Sequence, residues 1–168
     1  MLESLFFLIV AAVAVLSGIL VITCKNPINS ALSLILTFFC VATFYVMLEA
    51  PFMAAVQVIV YAGAIMVLIV FVIMLLNIKT ETDKRTSHAV LISSIIGLFV
   101  LFETIYFLNR SSLTGSKGLM DSAMIKSVGH TEIIGKALFT DFLLPFEITS
   151  LLLLVAIVGA VVVSKRKI

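Results

Sequence analysis

Five long apolar stretches run through this sequence of 168 residues and constrain its fold more than any other feature. A helix needs about 20 apolar residues to cross a hydrocarbon core of about 30 Å, and each stretch is long enough. We therefore predict an all-α integral membrane protein with five transmembrane helices, forming one membrane domain over residues 1–168. The predicted spans are 2–23, 28–48, 52–78, 89–108 and 142–163.

The composition excludes most other classes of protein. Hydrophobic residues make up 62% of the chain and charged residues 12%, whereas soluble domains have roughly 45–50% and about 25%. A small soluble fold cannot enclose that much apolar surface, because much of a small domain stays exposed. A soluble enzyme and a disordered linker are therefore excluded. The net charge of +2 gives no basic surface for nucleic acid.

The short breaks between spans carry residues that are typical of helix ends. Asn26 followed by Pro27 fits an N-cap and the first position of the second helix. Residues 49–51 are too few for more than a tight turn, so the second and third spans should be antiparallel neighbours. The first span is interpreted as a permanent helix and not a signal peptide, because no Lys or Arg precedes its apolar run.

The only long connection, residues 109–141, contains a pattern that predicts a short interfacial helix. In residues 131–139, four apolar side chains share one helical face, and Glu132 and Lys136 lie opposite. The four are Ile133, Ile134, Ala137 and Leu138. Thr131 is the predicted cap of this helix. The alternative is a helical turn that leads directly into the fifth span.

The distribution of Lys and Arg predicts the orientation of the chain. Five spans place the termini on opposite sides, with seven basic residues on one side and four, all within residues 109–141, on the other. By the positive-inside rule the first side is cytoplasmic, so the N-terminus is predicted outside and the C-terminus in the cytoplasm. The absence of a transit peptide favours a bacterial cell (inner) membrane, although organelle-encoded chains also lack one.

Strong hydrogen-bonding side chains are scarce in the third predicted span, where only Gln57, Tyr61 and Asn77 carry them. In a regular helix Gln57 and Tyr61 share a face, which Ala64 and Leu68 continue. Two roles remain open for this stripe. It either holds neighbouring helices together through hydrogen bonds or contributes to a hydration or proton path.

The third predicted span is also longer than a membrane requires. Its 27 residues would extend about 40 Å as a helix, against a core of about 30 Å. The helix must tilt, protrude or hold extra residues in a π-bulge, and Gly63 marks a place for a bulge. Length alone is explained most simply by tilt.

Groups that could carry chemistry are few. Glu147 follows Pro145 at the start of the fifth span, where the helix dipole alone can account for a carboxylate, or where it could handle protons. No span contains a lysine, or a carboxylate near its middle, which a stand-alone ion pump normally needs. Cysteine clusters for iron–sulfur ligation and phosphate-binding Gly-rich loops are absent. The chain therefore looks like part of a larger assembly.

Three separated motifs resemble those of a known family. Residues 60–68 (VYAGAIMVL) lead on to Phe71 and residues 74–76, an Asn-Pro pair precedes the second span, and residues 134–147 (IGKALFTDFLLPFE) precede an apolar run. In this order they resemble the J subunit (NuoJ-type) of respiratory complex I, the proton-pumping NADH:quinone oxidoreductase. The resemblance covers nearly the whole chain except residues 109–129.

The resemblance implies a core membrane-arm subunit of a complex that couples electron transfer from NADH to quinone with proton translocation. In this family the subunit holds no redox centre, so FMN, iron–sulfur clusters and quinone are expected on other subunits. The expected partners are other membrane-arm subunits and the lipid bilayer. The isolated chain is not expected to be catalytic.

The family is also known for a π-bulge in its third helix, which corresponds here to residues 61–66. Conversion between bulged and regular helix is thought to open or close a water path. A bulge rotates the following residues by about 100°, so Met66, Leu68 and Phe71 would change faces. Some relatives carry a carboxylate near position 57, whereas the amide here cannot titrate. The residues proposed for the proton path or gate are Gln57, Tyr61, Gly63, Met66, Phe71 and Glu147.

Three alternatives stay open. The chain could belong to a related ferredoxin-linked, hydrogenase or cation-antiporter complex. It could be a purely structural scaffold, which the scarcity of polar residues favours. An independent transporter is the third, and the missing central charge argues against it.

Overall fold

A computed structural model describes residues 2–76, 87–110 and 128–165, and within these ranges every regular element is a helix. Five helices are long and apolar enough to cross a membrane, which confirms the predicted class. Their described ends lie within two residues of the predicted ones; residues 77–86, including the predicted end of the third span, lie outside the described residues. The helices are α1 (Leu2–Thr23), α2 (Pro27–Met47), α3 (Pro51–Leu76), α4 (Ser87–Arg110), α5 (His130–Phe139) and α6 (Leu143–Ser164).

The start of α2 is capped as the sequence predicts. The backbone N–H of Ile28 donates to Oδ1 of Asn26 over 2.9 Å, and Pro27 occupies the first helical position. Pro27 has no N–H, and at this position no donor is left unpaired. The Asn26–Pro27 pair can therefore start α2 with only three residues between that helix and the end of α1 at Thr23.

Helix α2 is the centre of the packed part of the chain. It contacts α1 and every part of α3, whereas α1 contacts only α2 among the described elements. Small residues on α2, Ala31, Cys40 and Ala42, are buried in these contacts together with Ala54 of α3. Small side chains allow helix backbones to approach in lipid, where the hydrophobic effect does not drive association.

A pair of hydroxyl groups joins α1 to α2. Ser17 is 1% exposed, and its oxygen lies 2.8 Å from Oγ1 of Thr37. Each hydroxyl also lies 3.0 Å from a carbonyl oxygen of its own helix, that of Ala14 or Ser33. The two hydroxyl groups have two hydrogens for these three contacts. One hydroxyl therefore donates across the interface to the other, which donates to the carbonyl of its own helix. Such a bond fixes the rotation of α1 against α2 at a modest free energy of about 0.6 kcal/mol.

The short helix α5 forms a distinct element. Its predicted apolar face is half-buried, while Glu132 and Lys136 are exposed. A turn at residues 140–142 separates it from α6, so the alternative of a helical turn leading directly into the fifth span is wrong. The predicted cap is also wrong: Thr131 lies inside the helix, and Gly129 (φ 96°) precedes it without a side-chain cap.

Helix α5 contacts the first residues of α3. It therefore lies at the same end of the packed helices as the turn between α2 and α3, as the predicted five crossings require. Its place at the membrane interface, the outside N-terminus and the cytoplasmic C-terminus stay predictions.

Two of the five long helices pack against no other long helix in the described part of the chain. Helix α4 contacts no other described element, and α6 contacts only α5. The residues described in both are exposed on all sides, with large apolar side chains throughout. Lipid or other protein must cover these surfaces.

Candidate functional site

The middle of α3 is wound as a π-helix over Gln57–Ile65, between α-helical segments Pro51–Val56 and Met66–Leu76. At its end the N–H of Met66 donates to the carbonyl of Tyr61, five residues back, and also to that of Gly63. This observation confirms the predicted bulge and extends it by four residues towards the start of the helix. The sequence favours it locally, because Gly63 weakens an α-helix and residues 58–60 are all β-branched.

Gly63 suits this winding because it has no Cβ atom. A Cβ atom at this position would lie 3.1 Å from the carbonyl oxygen of Val58, five residues earlier. Beyond the adjacent turns of their own helices, Gly18, Gly97 and Gly159 would meet nothing within 4 Å. At Gly63 the π winding brings the carbonyl of residue i−5 beside residue i, which accounts for the close approach to Val58.

The π segment sets which side chains of α3 are buried. Gln57, Ala62 and Met66 are 9%, 6% and 1% exposed. These three side chains form the buried line of α3. The steps between them are five residues and then four, so the π turn contributes one extra residue and the α-helical spacing then resumes.

The predicted stripe of Gln57, Tyr61, Ala64 and Leu68 on one face is wrong. Tyr61 is 45% exposed and Leu68 62%, and neither lies with Gln57 in the buried line. The prediction assumed α-helical spacing, and the extra residue of the π turn rotates everything after it by about 100°. Tyr61 still touches α2, where its ring meets Phe38 edge-on at a centroid distance of 5.9 Å.

Gln57 is a polar side chain in an apolar setting, without a hydrogen-bond partner among the described residues. Its amide makes no hydrogen bond with any other described residue, although the residue is nine-tenths buried. No fully enclosed side-chain nitrogen or oxygen in the described ranges lacks a partner, so the amide lies at the residue's small exposed surface. An amide left unbonded in a membrane costs about 1–3 kcal/mol. Water or a neighbouring chain is the natural partner.

The structure brings together four of the six predicted residues and leaves two apart. Gln57, Tyr61, Gly63 and Met66 belong to the π segment or follow it directly. Phe71 is 50% exposed, off the buried line. Glu147 is exposed on α6, which does not contact α3. Glu147 was predicted in the first turn of the fifth span. It is instead the fifth residue of α6 and lies just beyond that turn.

Two features of the structure were not predicted from the sequence. One is the bond between Ser17 and Thr37, for which a serine within an apolar run was the only signal. The other is Glu103, a carboxylate within the fourth predicted span and seven residues before the end of α4. Its signal was plain, since a carboxylate inside an apolar span always requires an explanation. In the described ranges, no three His, Cys, Asp or Glu residues lie together as metal ligands would.

Comparison with known proteins agrees with this architecture. The statistical model of the family NADH-ubiquinone/plastoquinone oxidoreductase chain 6 matches residues 17–163. The chain is 36% identical to NAD(P)H-quinone oxidoreductase subunit 6, chloroplastic, of Physcomitrium patens, over 99% of this chain and 86% of the relative. It is 33% identical to chain 6 of the same-named enzyme from Synechocystis (98% and 81% covered). It is also 33% identical to NADH-ubiquinone oxidoreductase chain 6 of Prototheca wickerhamii (96% and 86% covered).

Proposed function

The chain belongs to the NADH-ubiquinone/plastoquinone oxidoreductase chain 6 family, and we propose that it serves as a core membrane-arm subunit of such a complex, with α3 as a gate on a proton path. Electron transfer from NADH to quinone takes place on other subunits in this proposal, with FMN and iron–sulfur clusters bound there. This chain supplies no redox centre. Its contribution is to open or close a file of water molecules as the complex turns over.

The observation that carries the proposal is the π segment at Gln57–Ile65. A π turn in a helix holds one residue more than an α-helical turn, and such turns often occur at functional sites. If it becomes α-helical, the part of α3 beyond it rotates by about 100°. The residues facing α2 would then change from Ala62 and Met66 to Tyr61 and Ile65.

This exchange has a direct effect on the space between α3 and its neighbours. The nearly enclosed Met66 would leave the α2 contact, and the Tyr61 ring beside Phe38 would turn into it. One form thus places the Tyr61 phenol against α2 one turn from Gln57, and the other places the small Ala62 there. Two packings of one helix that differ by a single residue of register make a bistable element, which is what a gate requires.

Gln57 gives the gate a polar lining. Its amide has no partner among the described residues and can bind water as donor and acceptor, but it cannot take up a proton. Protons would therefore pass through water molecules that the amide orders, and the Tyr61 hydroxyl would add a second polar group when the helix turns.

The membrane that holds the complex and its electron donor are part of the proposal. A bacterial cell membrane with NADH as donor is the first candidate. The related ferredoxin-linked complex is the second.

The assignment is tested with the chain tagged in its own membranes, extracted in mild detergent and separated on a native gel. We expect the tag in a large band that reduces a tetrazolium dye with NADH. A large band that responds only to reduced ferredoxin would support the second candidate. A small band without other subunits, from freshly solubilised membranes, would contradict both.

A further inference from the structure

Among the described residues, Glu103 of α4 is the one carboxylate that lies deep within a span and has no partner there. Helix α4 runs over Ser87–Arg110, so Glu103 lies about 7 Å from its midpoint at 1.5 Å per residue. The hydrocarbon core extends about 15 Å on each side of the membrane centre. The carboxylate is therefore inside the core, where an acidic residue is costly and normally faces a protein partner or water.

The nearest described cation on α4, Arg110, is already engaged. Arg110 lies on the same face of α4, about 10 Å along the axis from Glu103. Its Nη1 donates to the hydroxyl of Tyr106 over 2.6 Å, and its guanidinium carbon lies 5.8 Å from the centre of the Tyr106 ring. No ion pair or hydrogen bond joins Glu103 to any described residue. Arg110 is thus placed as an anchor at the membrane surface and Glu103 as a second polar group below it.

No other part of the described chain covers this face. The residues that share it at helical spacing are Ile96, Phe99, Glu103, Tyr106 and Arg110, and all are exposed. Lipid tails could cover the apolar members, but they offer no hydrogen bond to a carboxyl group, whether ionised or protonated. The chemistry of Glu103 therefore selects protein over lipid as the occupant.

We propose that this face of α4 docks against a transmembrane helix of another subunit, which presents a Lys or Arg side chain to Glu103. A basic side chain matches both the charge of the carboxylate and its capacity to accept hydrogen bonds, and pairing is the usual state of charges within membranes. The inference rests on the proposed assembly into a larger complex. It adds which helix contacts a partner, through which residue, and with what chemistry.

A photo-cross-linking amino acid at position 103, in the intact complex, tests the contact directly. Position 101 is the matched control, because Leu101 lies at nearly the same depth and about 160° away around the helix. We expect the probe at 103 to capture a transmembrane peptide of another subunit with Lys or Arg within about one helical turn of the adduct. The probe at 101 should not capture that peptide. Adducts at 103 only with lipid, with this chain or with a second copy of it would overturn the proposal.

Substitutions test whether the contact contributes to assembly. E103L should reduce the fraction of chain that migrates with the complex in mild detergent several-fold. E103Q should reduce it less, since an amide still hydrogen-bonds, and the control L101Q should leave it unchanged. If Glu103 faces lipid, E103L should assemble as well as the wild type or better, which would contradict the proposal.

Charge reversal provides the final test. E103K should impair assembly, and exchange of the captured basic residue for Glu should restore it; failure of the double variant to recover would count against an ion pair. The wild-type chain separates this inference from the proposed function. If the wild type itself does not migrate with quinone reductase activity, the assembly proposal fails. If it does and position 103 meets only lipid, the inference alone fails.

Discussion

At the scale of single residues, Gly63 is the position of α3 at which a side chain would crowd the π turn. A Cβ atom at 63 would lie 3.1 Å from the carbonyl oxygen of Val58, a contact that the π winding creates. An added methyl group therefore crowds the π form. It also favours the α-helical form by about 0.5–1 kcal/mol, because Gly costs a helix that much relative to Ala.

Gly63→Ala should shift α3 towards the α-helical form and slow NADH-driven proton pumping in an assembled complex. About 1 kcal/mol of bias changes the ratio of the two forms roughly fivefold, and Gly63→Val should act more strongly. Pumping is measured with a pH-sensitive dye in vesicles. The control Gly159→Ala should pump at the wild-type rate. Wild-type pumping by both Gly63 variants, in fully assembled complexes, would rule out the gate.

Substitutions of Gln57 test whether its amide contributes to the proton path or only fills space between helices. Gln57→Met keeps the length of the side chain and removes the amide, so it should leave assembly intact and reduce proton pumping by several-fold. Gln57→Glu restores hydrogen bonding and should retain most of the rate. Both rates are compared with the amount of assembled complex on native gels. If Gln57→Met pumps normally, the amide only fills space between helices.

At the scale of elements, α3 differs from the other long helices because its buried line takes one step of five residues. From Gln57 to Ala62 is five residues and from Ala62 to Met66 is four. Removing one residue between the first two would make both steps α-helical. The contact with α2 would then survive, although the bulge would be lost.

Deletion of Ile59, an exposed residue of the π segment, should therefore give a chain that assembles but does not pump. The matched control is deletion of Leu16 from α1, an exposed residue in a regular helix. That deletion rotates one part of α1 against the other by about 100° and separates Ser17 from Thr37, so assembly itself should fail. Native gels and pumping assays distinguish the two results. Normal pumping after loss of Ile59 would show that the bulge is dispensable.

At the scale of the whole molecule, the chain divides into a packed part and an unpacked part. Helices α1, α2 and α3 cover one another around α2, while α4 and α6 contact none of them. An apolar surface of this extent marks a binding surface for protein or lipid. Gating by α3 and anchoring by α4 and α6 are thus compatible roles, and the scaffold hypothesis describes the second of them.

Cysteine labelling can measure what covers the unpacked helices. In a chain without its native cysteines, Leu98→Cys on α4 and Leu152→Cys on α6 should react with a lipid-soluble thiol reagent when the chain is isolated in detergent, because both positions are exposed. In the assembled complex their labelling should drop several-fold. As a control, a chain that keeps Cys40 as its single cysteine should resist the reagent in both states, because Cys40 is buried. Equal labelling in both states would mean that lipid, and not other subunits, covers α4 and α6.

What the sequence determined by itself was the set of spans and their ends. Hydrophobic length alone located five helices, the Asn26–Pro27 pair fixed the start of α2, and the charges of α5 separated its two faces. These features are local, since they depend on the cost of exposing backbone and polar groups to lipid. The bulge near Gly63 was predicted from the resemblance to a known family, whereas the length of the third span alone favoured tilt.

Only the tertiary structure decided which faces meet. In α3 every face is apolar, so hydrophobic periodicity cannot distinguish a side that packs on α2 from one that faces lipid. Lipid tails are as apolar as Leu, and helix contacts depend instead on close packing and a few hydrogen bonds. For that reason the predicted stripe through Tyr61 and Leu68 was wrong by one residue, and the pairing of Ser17 with Thr37 was invisible. The buried line through Gln57, Ala62 and Met66 emerges only when α2 is placed against the π turn.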